Sequence, residues 1–262
     1  MIVVFTDLDG TLLDHETYSF DAALPAIAAL KAHKIPLVLA SSKTEAEMRP
    51  IARAMGIDHP MIVENGAGVV GLPSQEDPPG TGSASPYSRL RSLLRRIPKD
   101  LNACFEGFGD WDAARIARET GLPVASAILA RERRFSEPGY FSGTDAQRQA
   151  FIDLLERDGF TAVQGGRFFT LMPKTSKAER MAEVVAHFRS RSSLPVRTVA
   201  LGDGPNDLDM IEAADRGFII ANPAHAPLPV TTRERAGFIS RSQKAGPEGW
   251  NESILQLVET GF

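Results

Sequence analysis

Cysteine is nearly absent from this chain of 262 residues, Cys104 being the only one. That excludes an intramolecular disulfide, argues against a thiolate zinc site and favours a reducing compartment. Long apolar runs are missing as well, and none approaches the roughly 20 residues needed to span a bilayer. The opening MIVVF is too short for a signal peptide and lacks its basic flank. There is no basic excess either. The formal net charge of −4 offers no footprint for nucleic acid or an anionic membrane. Local clusters such as Arg131, Arg133 and Arg134 can still serve a small anionic ligand. The five histidines show no ligand-like clustering and read as structural or exposed, and no internal repeat is visible. These absences leave a cytoplasmic protein, monomeric or weakly homodimeric, with no nucleic-acid or membrane partner.

What is present suits a globular fold. The chain is 43% hydrophobic and 24% charged, enough to bury a sizeable core in one large or two modest domains. MIVVF is β-branched and apolar throughout, as expected of a strand covered on both faces. In DAALPAIAALKAHK, Leu24, Ile27, Ala28 and Leu30 follow helical spacing. IPLVLA is a second buried strand, and EAEMRPIARAMG a helix closed by Gly56, with Pro50 near its first turn or kinking it. MIVE makes a third strand, so the order is that of a parallel sheet with helices on both faces.

The pattern then breaks at LPSQEDPPGTGSASP (72–86), which has linker composition. YSRLRSLLRRI follows, with Leu90, Leu93, Leu94 and Ile97 on one helical stripe. DWDAARIARETGL and TDAQRQAFIDLLERDGF read as further helices, and RRFSEPGYF and TAVQGGRFFTLM as strands. From 178 the first pattern resumes with the helix AERMAEVVAHFRS, the strand VRTVAL, the helix LDMIEAAD and the strand GFIIA. The expectation is a Rossmann-like, doubly wound α/β core over 1–80 and 172–262 with an α+β cap domain inserted over 81–171.

In an open parallel sheet, ligands bind beyond the carboxyl ends of the strands. Those ends carry Asp7 and Asp9, then Ser41 and Ser42, then Glu64, Asn65 and Gly66, and then Asp203, Asn206 and Asp207. Clustered carboxylates of this kind stay ionised only with a compensating cation. Oxygen donors without His or Cys favour Mg²⁺ together with a substrate phosphate. In an extended segment residues i and i+2 project the same way, so Asp7 and Asp9 can face one substrate. One carboxylate can attack phosphorus and the other can move the proton. Gly10 permits a sharp exit and close backbone approach. Lys174 or Lys177 in MPKTSKAERM, with Thr175 or Ser176 capping the following helix, can supply positive charge to the phosphoryl group.

DLDGTLL, a hydroxyl after the second strand, a lysine after the insert and GDGPNDLDM together resemble the haloacid dehalogenase superfamily of phosphohydrolases, in the right order across nearly the whole chain. The resemblance implies Asp7 as nucleophile, Asp9 as general acid and base, Ser41 as a phosphoryl-oxygen ligand and Lys177 as the neutralising cation. It implies Mg²⁺ held by Asp7, the Asp9 carbonyl and Asp203, with Asp207 in support. The insert resembles the α/β cap of the branch that includes sugar phosphatases.

A finer resemblance concerns SSKT, ENGA, RRFSEP and GGRFF, which look like the mannosyl-3-phosphoglycerate phosphatases. It implies a small phosphorylated sugar-acid substrate, dephosphorylated to the compatible solute mannosylglycerate. Ser42, Lys43, Asn65, Gly66, Arg133, Glu137, Gly166 and Arg167 would be substrate contacts. Sucrose-phosphate, hexose-phosphate and glucosyl-3-phosphoglycerate phosphatases are the competing readings within the class. A phosphomutase and a non-catalytic sugar-phosphate sensor lie outside it.

Overall fold

The computed structural model describes residues 1–73, 85–165 and 167–261. Most of the linker reading over 72–86, the core–cap boundary at 80–81 and Gly166 lie outside the described residues. In chain order, β1 (Ile2–Thr6), α1 (Leu24–Ala32), β2 (Leu37–Leu39), α2 (Glu45–Ala54), β3 (Met61–Val63) and β4 (Gly68–Val70) come first. α3 (Pro86–Leu94), α4 (Lys99–Asn102), β5 (Phe105–Gly107), α5 (Ala113–Thr120), α6 (Val124–Arg131), β6 (Glu137–Phe141), α7 (Asp145–Arg157), β7 (Phe160–Gln164) and β8 (Phe169–Pro173) follow. α8 (Lys177–Arg189), β9 (Arg197–Gly202), α9 (Leu208–Ala213), β10 (Arg216–Ala221), α10 (Thr232–Arg235), β11 (Ile239–Ala245) and α11 (Gly246–Thr260) come last.

Described residues of 1–42, 52–73 and 176–261 form one compact unit, and those of 43–51, 85–165 and 167–175 another. The first is an α/β core around a five-stranded parallel sheet ordered β11-β10-β9-β1-β2. Val3, Val4 and Phe5 are all fully buried, which is why this strand lacks the alternation of a half-exposed one. Val3 and Phe5 share a cluster with Val38, Ala200, Ile219 and Val184. α1 packs on α11, and α8 on α9.

The third expected strand does not extend the sheet as drawn from sequence. β3 meets the Ala40 position through a single parallel bridge to Ile62, and otherwise forms an antiparallel hairpin with β4. The apolar stripe of the first helix is also displaced. Ala23, Ala26, Ile27 and Leu30 are buried, whereas Leu24 is 48% exposed and Ala28 is exposed. The helix starts only at Leu24, with Pro25 in its first turn, after a short 3₁₀ turn that aims Ala23 inward. Pro50 lies inside α2 rather than at its start, where it deletes the bond to the Ala46 carbonyl. Gly56 takes φ +62° just beyond the helix, as a left-handed terminating residue does.

The second unit is built on an antiparallel sheet ordered β5-β6-β8-β7. All four predicted stripe positions, Leu90, Leu93, Leu94 and Ile97, are buried there, in a cluster with Phe151 and Leu155. A second cluster gathers Phe108, Trp111, Ile116 and Ala127. The two expected strand halves of TAVQGGRFFTLM lie in β7 and β8, which pair antiparallel, and only the second half of RRFSEPGYF is strand. The fold is thus a doubly wound α/β core with an inserted α+β unit. Among the described residues no helix is long and apolar enough to cross a membrane.

Candidate active site

The parallel register carries the ends of β1, β2, β9 and β10 to one edge of the core sheet. Asp7 follows β1 directly, and its N–H donates to the Leu201 carbonyl of β9 at 2.9 Å. Thr6 before it is fully buried, donates to the Asp7 carbonyl at 2.7 Å and accepts from the Trp250 indole at 2.9 Å. Trp250 on α11 thereby anchors the strand end that presents Asp7. Neither β11 nor α11 was expected from the sequence, because ISRSQKA is polar and the helix opens on Gly246-Pro247.

Lys177 is the first residue of α8. Ser176 caps that helix, its hydroxyl accepting from the Glu179 N–H at 3.3 Å. Lys177 is 2% exposed, and its ammonium donates to Asp7 Oδ1 at 2.7 Å and Asp207 Oδ1 at 2.6 Å. Lys174, the alternative, is exposed and lies 3.5 Å from Glu156 in the inserted unit. Glu64, Asn65 and Gly66 after β3 have φ of +52°, +61° and +83°. Two consecutive non-glycine residues in the left-handed region each store roughly 1–2 kcal/mol of strain. Their geometry brings Gly66 so close to the Ser176–Lys177 backbone that a Cβ there would collide with it. The segment therefore braces the start of the lysine helix.

Asp203 and Asp207 lie in the turn after β9. Asp207 Oδ2 accepts the backbone N–H groups of Asp203 at 3.2 Å and Gly204 at 3.0 Å, closing that turn. Asn206 donates to Asp207 Oδ1 at 3.3 Å and to Asn65 Oδ1 at 3.2 Å. Asp203 Oδ1 accepts from the Thr11 hydroxyl at 2.7 Å. Its Oδ2 accepts from Asn222 Nδ2 at 2.7 Å and faces His225 Nε2 at 2.9 Å. Thr11, Asn222 and His225 were missed. Asn222 follows the strand GFIIA, so the same strand-end rule reaches it. For His225, which lies in the loop beyond, no local signal exists.

Burial raises Asp7 well above the usual carboxylate range, and Asp207 adds to the effect while Lys177 opposes it. Burial alone would push Lys177 down, but the Asp207 and Asp7 carboxylates hold its pKa above the ordinary lysine value. Hydrogen bonding to Asp203 raises His225. Asp7, Asp203 and Asp207 are all buried, and each offers an oxygen within 4.8 Å of the others. Counted as ionised, the three buried carboxylates exceed the Lys177 ammonium by two negative charges, an excess that a proton on Asp7 or His225 reduces. An all-oxygen donor set with that excess fits a hard divalent cation such as Mg²⁺.

Asp9 is partly buried two residues beyond Asp7, Ser41 is fully buried and Ser42 is exposed. The Ser41 carbonyl accepts the Asn65 N–H at 2.8 Å, linking the second and third strand ends. The other candidates belong to the inserted unit. Lys43 is half-buried there. Arg133 donates to the Ala130 carbonyl at 3.1 Å and to the Ser136 hydroxyl at 3.4 Å. Arg167 is exposed and donates to the Glu119 carbonyl. Glu137 is fully buried, accepting from the Gly109 N–H at 2.6 Å and Arg91 at 3.4 Å. Burial raises its pKa, against the lowering effects of Tyr87, Gly109 and Arg91.

Residues 4–77 and 141–230 match the family model of haloacid dehalogenase-like hydrolases. The chain is 34% identical over 270 residues to a glucosyl-3-phosphoglycerate/mannosyl-3-phosphoglycerate phosphatase of Methanococcoides burtonii, covering 98% of this chain and 97% of the relative. A protein of the same description from Persephonella marina is 34% identical over 268 residues, covering 98% and 97%. Among solved structures, a haloacid dehalogenase-like hydrolase from Bacteroides thetaiotaomicron superposes with a TM-score of 0.67 at 16% identity, covering 97% of this chain and 98% of that one.

Proposed function

The chain belongs to the haloacid dehalogenase-like hydrolases and is a phosphoric monoester hydrolase, and we propose that it dephosphorylates a glycosyl-3-phosphoglycerate, with the mannosyl compound as its main substrate. The observation that carries the substrate class is the match, at 34% identity over 98% of the chain, to phosphatases named for the glucosyl and mannosyl compounds. SSKT, ENGA, RRFSEP and GGRFF support the mannosyl form. The single free Cys104 supports a cytoplasmic setting.

The geometry around Asp7 supports a two-step reaction. With Oδ1 held by Lys177, Asp7 attacks phosphorus through its other oxygen, and the bond from phosphorus to the glycerate oxygen breaks. Asp9 delivers a proton to that leaving oxygen. In the second step the Asp9 carboxylate takes a proton from water, and the water oxygen displaces Asp7 from phosphorus. Phosphate leaves and the Asp7 carboxylate is restored. Ser41 and Lys177 hold the phosphoryl oxygens as negative charge develops. Asp7, the Asp9 carbonyl and Asp203 would hold Mg²⁺, with Asp207 in support. When bound, the ion neutralises the carboxylates and the transferring phosphoryl group. In the inserted unit, Lys43, Arg133, Glu137 and Arg167 are assigned to substrate recognition, and in the core Ser42, Asn65 and Gly66.

The test is kcat/KM across mannosyl- and glucosyl-3-phosphoglycerate, sucrose phosphate and free hexose phosphates with Mg²⁺. The expected order puts the mannosyl compound first, followed by the glucosyl compound. A preference for free hexose phosphates overturns the substrate assignment and leaves the Asp7 chemistry standing.

A further inference from the structure

A carboxylate has about four lone-pair positions, and counting how each is filled separates Asp207 from Asp203. Asp207 is saturated. Its Oδ1 accepts from Lys177 and Asn206, and its Oδ2 from the N–H groups of Asp203 and Gly204. Asp203 has three of its four positions taken, one on Oδ1 by Thr11 and two on Oδ2 by Asn222 and His225. The remaining acceptor position of Asp203 is therefore on Oδ1.

The two donors on Oδ2 are themselves held in place. Asn222 Oδ1 accepts the Ala224 N–H at 2.9 Å, which fixes the amide orientation and points Nδ2 at Asp203. His225 Nδ1 lies 3.0 Å from the Ala226 carbonyl oxygen, which orients the ring so that Nε2 meets Oδ2. Gly10, at φ +78°, leaves room for this arrangement. A Cβ at that position would collide with the Asn222 amide and crowd Asp203 Oδ2.

We propose that Asn222 and His225 are positioning residues that occupy Oδ2 of Asp203, so that this carboxylate meets the divalent cation through Oδ1 alone. The proposal rests on Asp203 being a Mg²⁺ ligand. Its chemical consequence is selectivity. Mg²⁺ demands near-octahedral geometry and is served by single carboxylate oxygens, whereas Ca²⁺ accepts both oxygens of one carboxylate and a looser shell. Blocking Oδ2 removes the two-oxygen mode that Ca²⁺ can use. Losing either donor opens one of the two acceptor positions on that oxygen and loosens the carboxylate's orientation, which weakens Mg²⁺ and leaves Ca²⁺ a compensating contact.

The test is calorimetric titration of the substrate-free protein with Mg²⁺ and, separately, with Ca²⁺. Asn222→Ala and His225→Ala are each expected to raise the Mg²⁺ Kd about tenfold. The Ca²⁺ Kd should rise less than about threefold, because bidentate chelation becomes available. His225→Gln, whose amide N–H reaches the same oxygen, should return the Mg²⁺ Kd to within roughly twofold of the wild type. Unchanged Mg²⁺ affinity in both alanine variants overturns the proposal, and so does equal weakening of both ions, which is what general loosening of the loop would produce. No substrate enters the titration, so an error in the sugar assignment appears only in the kcat/KM panel.

Discussion

Each unit buries a carboxylate among charged neighbours, and the two clusters balance their charge differently. In the core, Asp7 and Asp207 share the single ammonium of Lys177 at 2.7 and 2.6 Å, and Asp203 adds a third carboxylate within 4.8 Å. In the inserted unit, Glu137 lies 3.4 Å from Arg91, which also holds Asp110 at 2.5 Å, and a backbone N–H from Gly109 completes the contact. Burial is the largest influence on both Asp7 and Glu137 and raises both. With every carboxylate ionised, however, the core cluster exceeds Lys177 by two negative charges before His225 is counted, whereas the Glu137–Arg91–Asp110 cluster exceeds Arg91 by one and is partly open to water through Asp110. A desolvated excess of that size is costly to maintain without a ligand. The core cluster is therefore the one of the two that a divalent cation fits better, the Glu137 cluster having less charge to compensate.

The comparison is tested most severely at Asp7. Asp7→Asn keeps the side chain's size but replaces one carboxylate oxygen with an amide NH2 and removes the negative charge, so with Asp7 as the proposed nucleophile kcat should fall by roughly four orders of magnitude or more. Steady-state phosphate release measures it, and near-wild-type turnover would remove Asp7 from the centre of the site. Lys177→Met gives the next largest effect. It leaves Asp7 and Asp207 buried against each other without their cation, a loss of about 3–5 kcal/mol in stability. Denaturant unfolding of the metal-free protein checks it, with the midpoint expected to drop sharply. An unshifted midpoint would mean that the ion pairs contribute nothing to folding. Added Mg²⁺ should recover part of the loss, because the same carboxylates gain a substitute cation.

How legible these clusters were follows from where their residues lie along the chain. Asp7, Ser41 and Asp203 stand at strand ends, and the apolar runs MIVVF, IPLVLA and VRTVAL announce those ends directly. The parallel order of the core follows from the same runs. Lys177 and Lys174 could not be separated by spacing, since both precede a helix. The Ser176 cap makes Lys177 the first helical residue and buries it, while Lys174 stays exposed. β4 has three residues and β11 reads as polar, so neither carries a usable period. His225 reaches Asp203 through a loop whose path is fixed by tertiary structure, and nothing in ANPAHAP signals it. In the inserted unit Glu137 was singled out, but its partners Arg91 and Gly109 come from separate elements and were not. Sequence periodicity reports which face a residue lies on. It does not report which distant groups meet there.

The smallest effect is expected at Glu137, and its sign is informative. Because burial raises this carboxyl above its unfolded value, the folded protein retains the proton over a window in which the unfolded chain has released it. The contribution of Glu137 to stability is therefore fully present below the ordinary glutamate pKa and is lost as pH rises through the raised one. The groups facing it are Tyr87, Arg91 and Asp110. Of these, Arg91 stays charged throughout, and Asp110 is held below the usual range by Arg91 and Gly107 despite its partial burial. Across that window Glu137 is thus the member of the cluster that changes charge. Glu137→Gln keeps an acceptor for the Gly109 N–H and is neutral at every pH. The variant should lose the decline in stability that Glu137 imposes from the ordinary glutamate range upward, and at neutral pH it should match or exceed the wild type by on the order of 1 kcal/mol. Parallel denaturation series of the two proteins from acid to neutral pH measure the difference. A variant less stable than the wild type at neutral pH would mean that the Arg91 pairing outweighs burial. The Glu137 carboxylate would then be held as an anion by Arg91 and the Gly109 N–H despite its burial.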